Sequence, residues 1–174
     1  MREVHLLVHP FYRMQDKQVM ETRYSQWVES ARSASERNAY GVVLETSDGD
    51  SKQQTRLIDA IHKIFGKNFR SIGPGLISKD MFNDKGIVKV ASSGKVNISG
   101  RGVYTELCVV EALQMLTKQY DIPHSSATIN LAESVDGLSV YDKIANKLAA
   151  LRKRGQNWSL VDGVKELEDL SCVT

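Results

Sequence analysis

Cysteine is scarce in this sequence. The 174 residues include only Cys108 and Cys172, which are too few for a disulfide framework, and the four histidines do not have metal-ligand spacing. We therefore expect no metal site and no cofactor. An excess of charge of one sign is also lacking, because the formal net charge is +2. This balance predicts no strong attraction to nucleic acid or to an anionic membrane.

Long hydrophobic runs are lacking as well. No apolar stretch approaches the roughly 20 residues that cross a bilayer, and Met1 leads directly into a short apolar strand without a signal-peptide-like segment. We expect a cytoplasmic protein with a small-molecule ligand and no membrane partner, and a homo-oligomer is possible. The chain length and an apolar fraction of 41% predict a single domain over residues 1–174.

Short apolar segments alternate with longer amphipathic ones along the chain. Strands are predicted at 4–8, 40–44, 69–72 and 127–131, and helices at 16–37, 52–65, 103–120, 140–151 and 161–170. Residues 86–90 and 95–99 form either a hairpin or two successive strands. This alternation is typical of βαβ units, which cross over onto a parallel sheet. It predicts a three-layer α/β/α sandwich with a mostly parallel, Rossmann-like central sheet.

The segment from Gly100 to Cys108 is predicted to be a strand-to-helix turn. Gly100 and Gly102 permit a tight turn, and a helix that starts at once directs backbone N–H groups towards an anion. Arg101 lies between the glycines, where it either clamps a carboxylate or phosphate or is an exposed loop residue. Together with Thr105, these residues are the candidate ligand-binding set.

Cys108 lies in or near the first turn of the helix that follows. A thiolate at a helix start has a lowered pKa, which suits a nucleophile, and neighbouring N–H groups can stabilise an oxyanion. The alternative is a packing role, since Leu107, Val109 and Val110 surround Cys108 in sequence and free cysteine is commonly buried.

The run Gly102-Val103-Tyr104-Thr105-Glu106-Leu107-Cys108-Val109 resembles the segment that carries the nucleophile in isochorismatase-like cysteine hydrolases, the family that includes nicotinamidases. In that family a Gly-x-x-Thr-x-x-Cys-Val run follows a central strand. The resemblance implies the same α/β fold, with Cys108 attacking a small amide or ester and forming a thioester.

The chain departs from that family at two other positions. Where the family has an aspartate after the first strand, this sequence has His9, which either replaces the aspartate as base or only ends the strand before Pro10. The family lysine has two candidates, Lys89 and Lys79. Glu45, which follows the second predicted strand, could orient His9 or bind a ligand.

Two other functions fit the same residues. Gly100-Arg101-Gly102 followed by Thr105 resembles the start of a nucleotide- or phosphate-binding fingerprint whose third glycine is missing. Alternatively, the missing aspartate fits a non-catalytic relative with a structural role. The sequence therefore predicts a divergent cysteine hydrolase and leaves these two alternatives open.

Overall fold

The structure, a computed structural model, describes residues 2–93, 95–103, 108–123, 126–130, 149–150, 153–154 and 159–161. This part of the chain contains six strands, which are β1 (Arg2–Val8), β2 (Tyr40–Leu44), β3 (Phe69–Ile72), β4 (Val96–Gly102), β5 (Ala127–Asn130) and β6 (Ser159–Val161). They form one sheet in the order β3-β2-β1-β4-β5-β6, and every neighbouring pair is parallel. Among the described residues, no helix is long and apolar enough to cross a membrane.

Four α-helices are described, namely α1 (Lys17–Glu36), α2 (Ser51–Phe65), α3 (Lys85–Ala91) and α4 (Val110–Gln119). An aspartate caps each of the first three. Asp16 accepts a hydrogen bond from Gln18 N, Asp50 from Gln53 N and Asp84 from Gly86 N. Such caps satisfy N–H groups that have no partner within the helix, so they fix where each helix begins.

The helices cover both faces of the sheet, and each face has its own core. On one face, α1 and α2 pack against β1 and β2 through Trp27, Leu57 and Leu7, which are fully buried. We call this the α1/α2 core. On the other face, α3 and α4 form the α3/α4 core, with Ile87 and Leu116 at its centre. The predicted three-layer α/β/α sandwich with a Rossmann-like parallel sheet is therefore confirmed.

Most predicted elements agree with the structure. The strands at 40–44 and 69–72 have the predicted bounds, and α1 and α2 differ from prediction by one residue at most at each end. The predicted helix at 140–151 lies largely outside the described residues, of which 149–150 are helical. Most of the predicted helix at 161–170 is also outside them, but Val161 belongs to β6, which was not predicted. The single-domain boundary stays a prediction.

Two predictions around β4 are wrong. Residues 86–90 belong to α3 instead of a strand, because Asp84 caps a helix there and Ile87 faces the α3/α4 core. Gly100 and Arg101 belong to β4 instead of a turn, because β4 pairs with β1 as far as Val8 and Gly102. Residues 104–107 of the predicted turn lie outside the described residues.

The strand order places a switch point beside β1. β2 and β3 extend the sheet from one side of β1, whereas β4, β5 and β6 extend it from the other. In such a sheet, the loops after the two central strands diverge to opposite faces and leave a crevice beyond their carboxyl ends. By this rule, a ligand crevice is expected beyond Val8 of β1 and Gly102 of β4.

Candidate functional site

At the carboxyl ends of β1 and β4 the two backbones approach closely. Gly102 is paired with Val8, and a Cβ atom built on Gly102 would collide with the carbonyl oxygen of Val8. A side chain at this position would separate β4 from β1. Gly102 therefore has a structural reason to be glycine, and this reason is independent of any ligand.

The loop after β1 has an unusual backbone. His9, Phe11 and Arg13 all have positive φ, at 48°, 61° and 53°, a region that non-glycine residues rarely adopt. Two fixed points hold the loop. The Phe11 ring is fully buried and meets the edge of the Trp27 ring at 5.1 Å between centroids, and Arg13 N donates to the Asp48 carbonyl at 2.8 Å. Strained residues held in place by their surroundings are common at functional sites.

His9 lies at the carboxyl end of β1, as predicted, with its backbone N–H donating to the Leu44 carbonyl at 2.9 Å. Both imidazole nitrogens are buried and have no partner within hydrogen-bond geometry among the described residues. Burial lowers the pKa of His9, although the nearby backbone of Gly75 and the carboxylate of Glu111 act in the opposite direction. The imidazole is therefore neutral near pH 7, as a general base must be.

Cys108 lies directly before α4, where Cys108 and Val109 form a π-helical turn. Its side chain is half-buried and packs against the α3/α4 core. π-Helical turns are rare and are frequent at functional sites. Glu111, which acts on His9, lies in the first turn of α4. The structure therefore brings His9 to the same end of α4 as Cys108.

Arg101 does not face the Cys108 side of the sheet. Gly100 and Gly102, its neighbours along β4, face Leu113 and Val109 of the α3/α4 core, so Arg101 faces the α1/α2 core. There its charge helps to lower the pKa of His5. A ligand-binding role for Arg101 stays a prediction, now on the face opposite Val109, and Gly100 belongs to a strand in which glycine allows packing against Leu113.

The remaining predicted residues are dispersed. Lys89 lies in the last turn of α3, and its carbonyl accepts from Arg2 at the start of β1, so it lies at the opposite edge of the sheet from His9. Lys79 is exposed and lines a separate groove with Met115 and Lys118 of α4. Glu45 follows β2, as predicted, and accepts a hydrogen bond from Ser71 Oγ at 2.6 Å. Thr105 lies outside the described residues.

Two groups near His9 were missed in the sequence. Glu111 follows Cys108 by three residues, a spacing that places two side chains on the same helix face, and this was the available signal. Gly75 belongs to the loop after β3, and no sequence pattern joins it to His9. In the described part of the chain, no group of three or more His, Cys, Asp or Glu side chains has a geometry that could hold a metal ion.

No protein-family model, no curated protein and no solved structure matches the chain. A relation to the isochorismatase-like hydrolases therefore depends on Gly102–Val109 and on the fold, and it is a proposal.

Proposed function

We propose that the protein is a divergent isochorismatase-like cysteine hydrolase, which acts on a small amide or ester with Cys108 as nucleophile and His9 as general base. One observation carries the proposal. A neutral imidazole, whose buried ring nitrogens have no partner in full hydrogen-bond geometry beyond an interaction with the Gly75 backbone, lies at the switch point, where it interacts with Glu111 in the first turn of α4. A buried polar group without a partner is costly, and a substrate or a thiol proton would satisfy it.

The proposed reaction begins with proton transfer from the Cys108 thiol to His9. The thiolate attacks the substrate carbonyl carbon, so a C–S bond forms and the carbonyl π electrons move to oxygen. When the tetrahedral intermediate collapses, the C–N or C–O bond breaks, and His9 returns the proton to the leaving group. Water, deprotonated by His9, then attacks the thioester, releases the carboxylic acid and restores the thiol.

Two features of α4 support these steps. N–H groups at the start of a helix have no partner within it, so those near Cys108 suit the oxyanion of the intermediate. Glu111 raises the pKa of His9, so its carboxylate stabilises the imidazolium that forms when His9 takes the proton. Glu111 therefore acts as a positioning and charge-balancing residue, in the role that a third group has in catalytic triads.

Ligand binding without catalysis is the second candidate. One support is the strand order β3-β2-β1-β4-β5-β6, which is the order of dinucleotide-binding sheets. The other is His9, which occupies the position of the aspartate in the family that the sequence resembles. The glycine pair offered for phosphate binding has a packing explanation in β4, so a nucleotide would need another contact in the crevice. Thermal shifts with a nucleotide panel would test this candidate.

Alkylation kinetics test the hydrolase proposal. In a Cys172→Ser background, iodoacetamide labels only Cys108, and mass spectrometry gives the rate. We expect labelling at pH 7 to be about tenfold faster in the folded protein than in urea, the effect of lowering the thiol pKa by about one unit. His9→Gln should abolish this advantage, and Glu111→Gln should reduce it.

The matched control is His62→Gln, which changes an exposed histidine on α2 and should leave the rate unchanged. Incubation with p-nitrophenyl acetate should also leave an acetyl group on Cys108, detected by intact mass. If folded Cys108 labels more slowly than the unfolded chain and takes up no acetyl group, the cysteine has a packing role and the hydrolase proposal fails.

A further inference from the structure

A second groove lies at the opposite edge of the sheet. The amino ends of β1, β2 and β3 border it together with α3, and its volume is about 710 Å³. We call it the amino-edge groove. Six cationic side chains line it: Arg2, Arg37, Lys67, Arg70, Lys85 and Lys89. Because the whole chain has a formal net charge of only +2, this cluster is a local concentration of positive charge.

Most of this charge is not neutralised within the described part of the chain. Arg37 forms a two-pronged pair with Glu3, at 2.8 and 2.9 Å, and Arg70 lies 3.6 Å from Asp84. Asp84 is the sole carboxylate that the described residues contribute to the lining. The other four cations have no ion-pair partner among the described residues. A cluster of like charges creates a local positive potential that attracts anions.

Helix dipoles explain only part of the cluster. The carboxyl end of a helix attracts cations, which accounts for Lys89 in the last turn of α3 and for Lys67 just beyond α2. Lys85, however, is the first residue of α3, where the dipole disfavours a cation. Arg2 and Arg70 lie on strands. Arg70 is paired with Asp84, so Arg2 and Lys85 are the two cations that neither a helix dipole nor an ion pair explains.

The Arg2 side chain and the backbone of α3, which carries two of the lysines, are already held in position. Arg2 Nη1 donates to the Lys89 carbonyl at 3.3 Å, which ties β1 to the end of α3. Asp84 accepts from Tyr40 Oη at 2.8 Å and caps α3, so the spacing of Lys85 and Lys89 relative to β2 is fixed. Because Arg2 is positioned before a ligand binds, less binding free energy is lost to ordering that side chain.

We propose that the amino-edge groove binds a compact ligand with two or more phosphate groups. Four unpaired cations match the charge of a di- or triphosphate, and the volume is within the roughly 300–1,000 Å³ range of small-molecule sites. A duplex or long single strand would need a larger surface. The groove is separate from the His9 crevice, so this site stands whether or not the protein is a hydrolase.

Calorimetric titration with inorganic tripolyphosphate tests the proposal on the intact chain. We expect saturable one-to-one binding, much tighter than that of orthophosphate. Lys85→Gln combined with Lys89→Gln should weaken it about tenfold, since each exposed charge pair contributes modestly. The matched control combines Lys52→Gln with Lys63→Gln, two exposed positions on α2, and should change affinity less than twofold.

The other outcomes are also decisive. Equal losses in both double variants, with an unchanged circular dichroism spectrum, would mean diffuse surface attraction and would overturn the site, as would the absence of saturable binding. ATP binding with the affinity of tripolyphosphate supports recognition of the phosphates alone, and tighter ATP binding supports a nucleotide. Tighter binding of a 20-nucleotide DNA strand than of either would overturn the small-ligand proposal in favour of a nucleic-acid surface.

Discussion

His5 and His9 lie four residues apart and have different surroundings. His5 is within β1 and 3% exposed, with Ser30 Oγ 3.5 Å from its Nε2 atom and the Phe65 ring 5.9 Å away between centroids. Burial, followed by the charges of Arg101 and Arg37, lowers the pKa of His5 to about 3. His9 is only partly buried and follows β1 at its carboxyl end, although its ring nitrogens are buried. Of the two, only His9 is placed to exchange protons with a ligand.

Acid destabilisation should follow from His5. The unfolded chain binds a proton at His5 as the pH falls below 6.5, whereas the folded protein keeps it neutral until about pH 3. The free energy of unfolding should therefore fall between pH 6.5 and 3, by up to about 1.4 kcal/mol for each pH unit from this group. The lowered pKa of His9 acts in the same direction.

His5→Gln removes this titration, so urea unfolding between pH 7 and 4 should show a shallower loss of stability than in the parent. The exposed His62→Gln variant should retain the parent slope. Parallel slopes for His5→Gln and the parent would show that His5 is already protonated in the folded protein.

At the scale of elements, β4 has two glycines with different tolerance for a side chain. A Cβ at Gly100 would lie 2.7 Å from Leu113 Cδ1, the end of a flexible side chain, whereas at Gly102 it would meet the Val8 carbonyl of the neighbouring strand. A rotamer change relieves the first clash, and the second requires the strands to separate. We expect Gly100→Ala to cost about 1 kcal/mol and Gly102→Ala about 3 kcal/mol.

Urea denaturation of the two alanine variants measures this difference. Gly102→Ala should also alter Cys108 alkylation, because Gly102 leads into the turn before α4, whereas Gly100→Ala should not. If the two variants are equally destabilised, β1 and β4 can move apart at their carboxyl ends, and the close approach of Gly102 to Val8 is not a constraint.

Helices and strands were predicted correctly where the sequence signal comes from residues that are neighbours along the chain. Trp27 and Ala31 recur on one face of α1, and Asp16 caps it, so the sequence alone marks this helix. In α3 the run from Gly86 to Val90 has the β-branched residues of a strand, yet Gly86 fits against the Tyr40 ring, where a Cβ would collide. Contact with β2 thus overrides strand propensity, as tertiary packing often does.

At the scale of the molecule, the two cores share one sheet. Leu7 faces the α1/α2 core and Leu6 faces the α3/α4 core, both from β1. Damage to either core therefore weakens strands that the other core needs. We expect unfolding to be a single cooperative transition, as is usual for domains of this size.

Leu116→Ala in the α3/α4 core tests this coupling. In a Trp158→Phe background, Trp27 fluorescence reports the α1/α2 core alone. We expect Leu116→Ala to lower the free energy of unfolding by about 2–5 kcal/mol. The urea midpoints measured by fluorescence and by circular dichroism should fall together. Leu57→Ala in the α1/α2 core is the matched variant and should behave alike. A fluorescence midpoint that Leu116→Ala leaves unchanged would show that the cores unfold separately.

The sequence by itself determined the layered α/β fold and placed His9 at the end of β1, because hydrophobic periodicity and helix caps act over a few neighbouring residues. It also placed Cys108 near a helix start, whereas the role of Cys108 as a nucleophile stays a prediction. Tertiary structure alone decided that β4 continues through Gly100 and Arg101, that Arg101 faces away from Cys108 and that Lys89 lies at the far edge among other cations. These outcomes depend on strand register and on which face a side chain occupies, and both are fixed by contacts between residues distant in sequence.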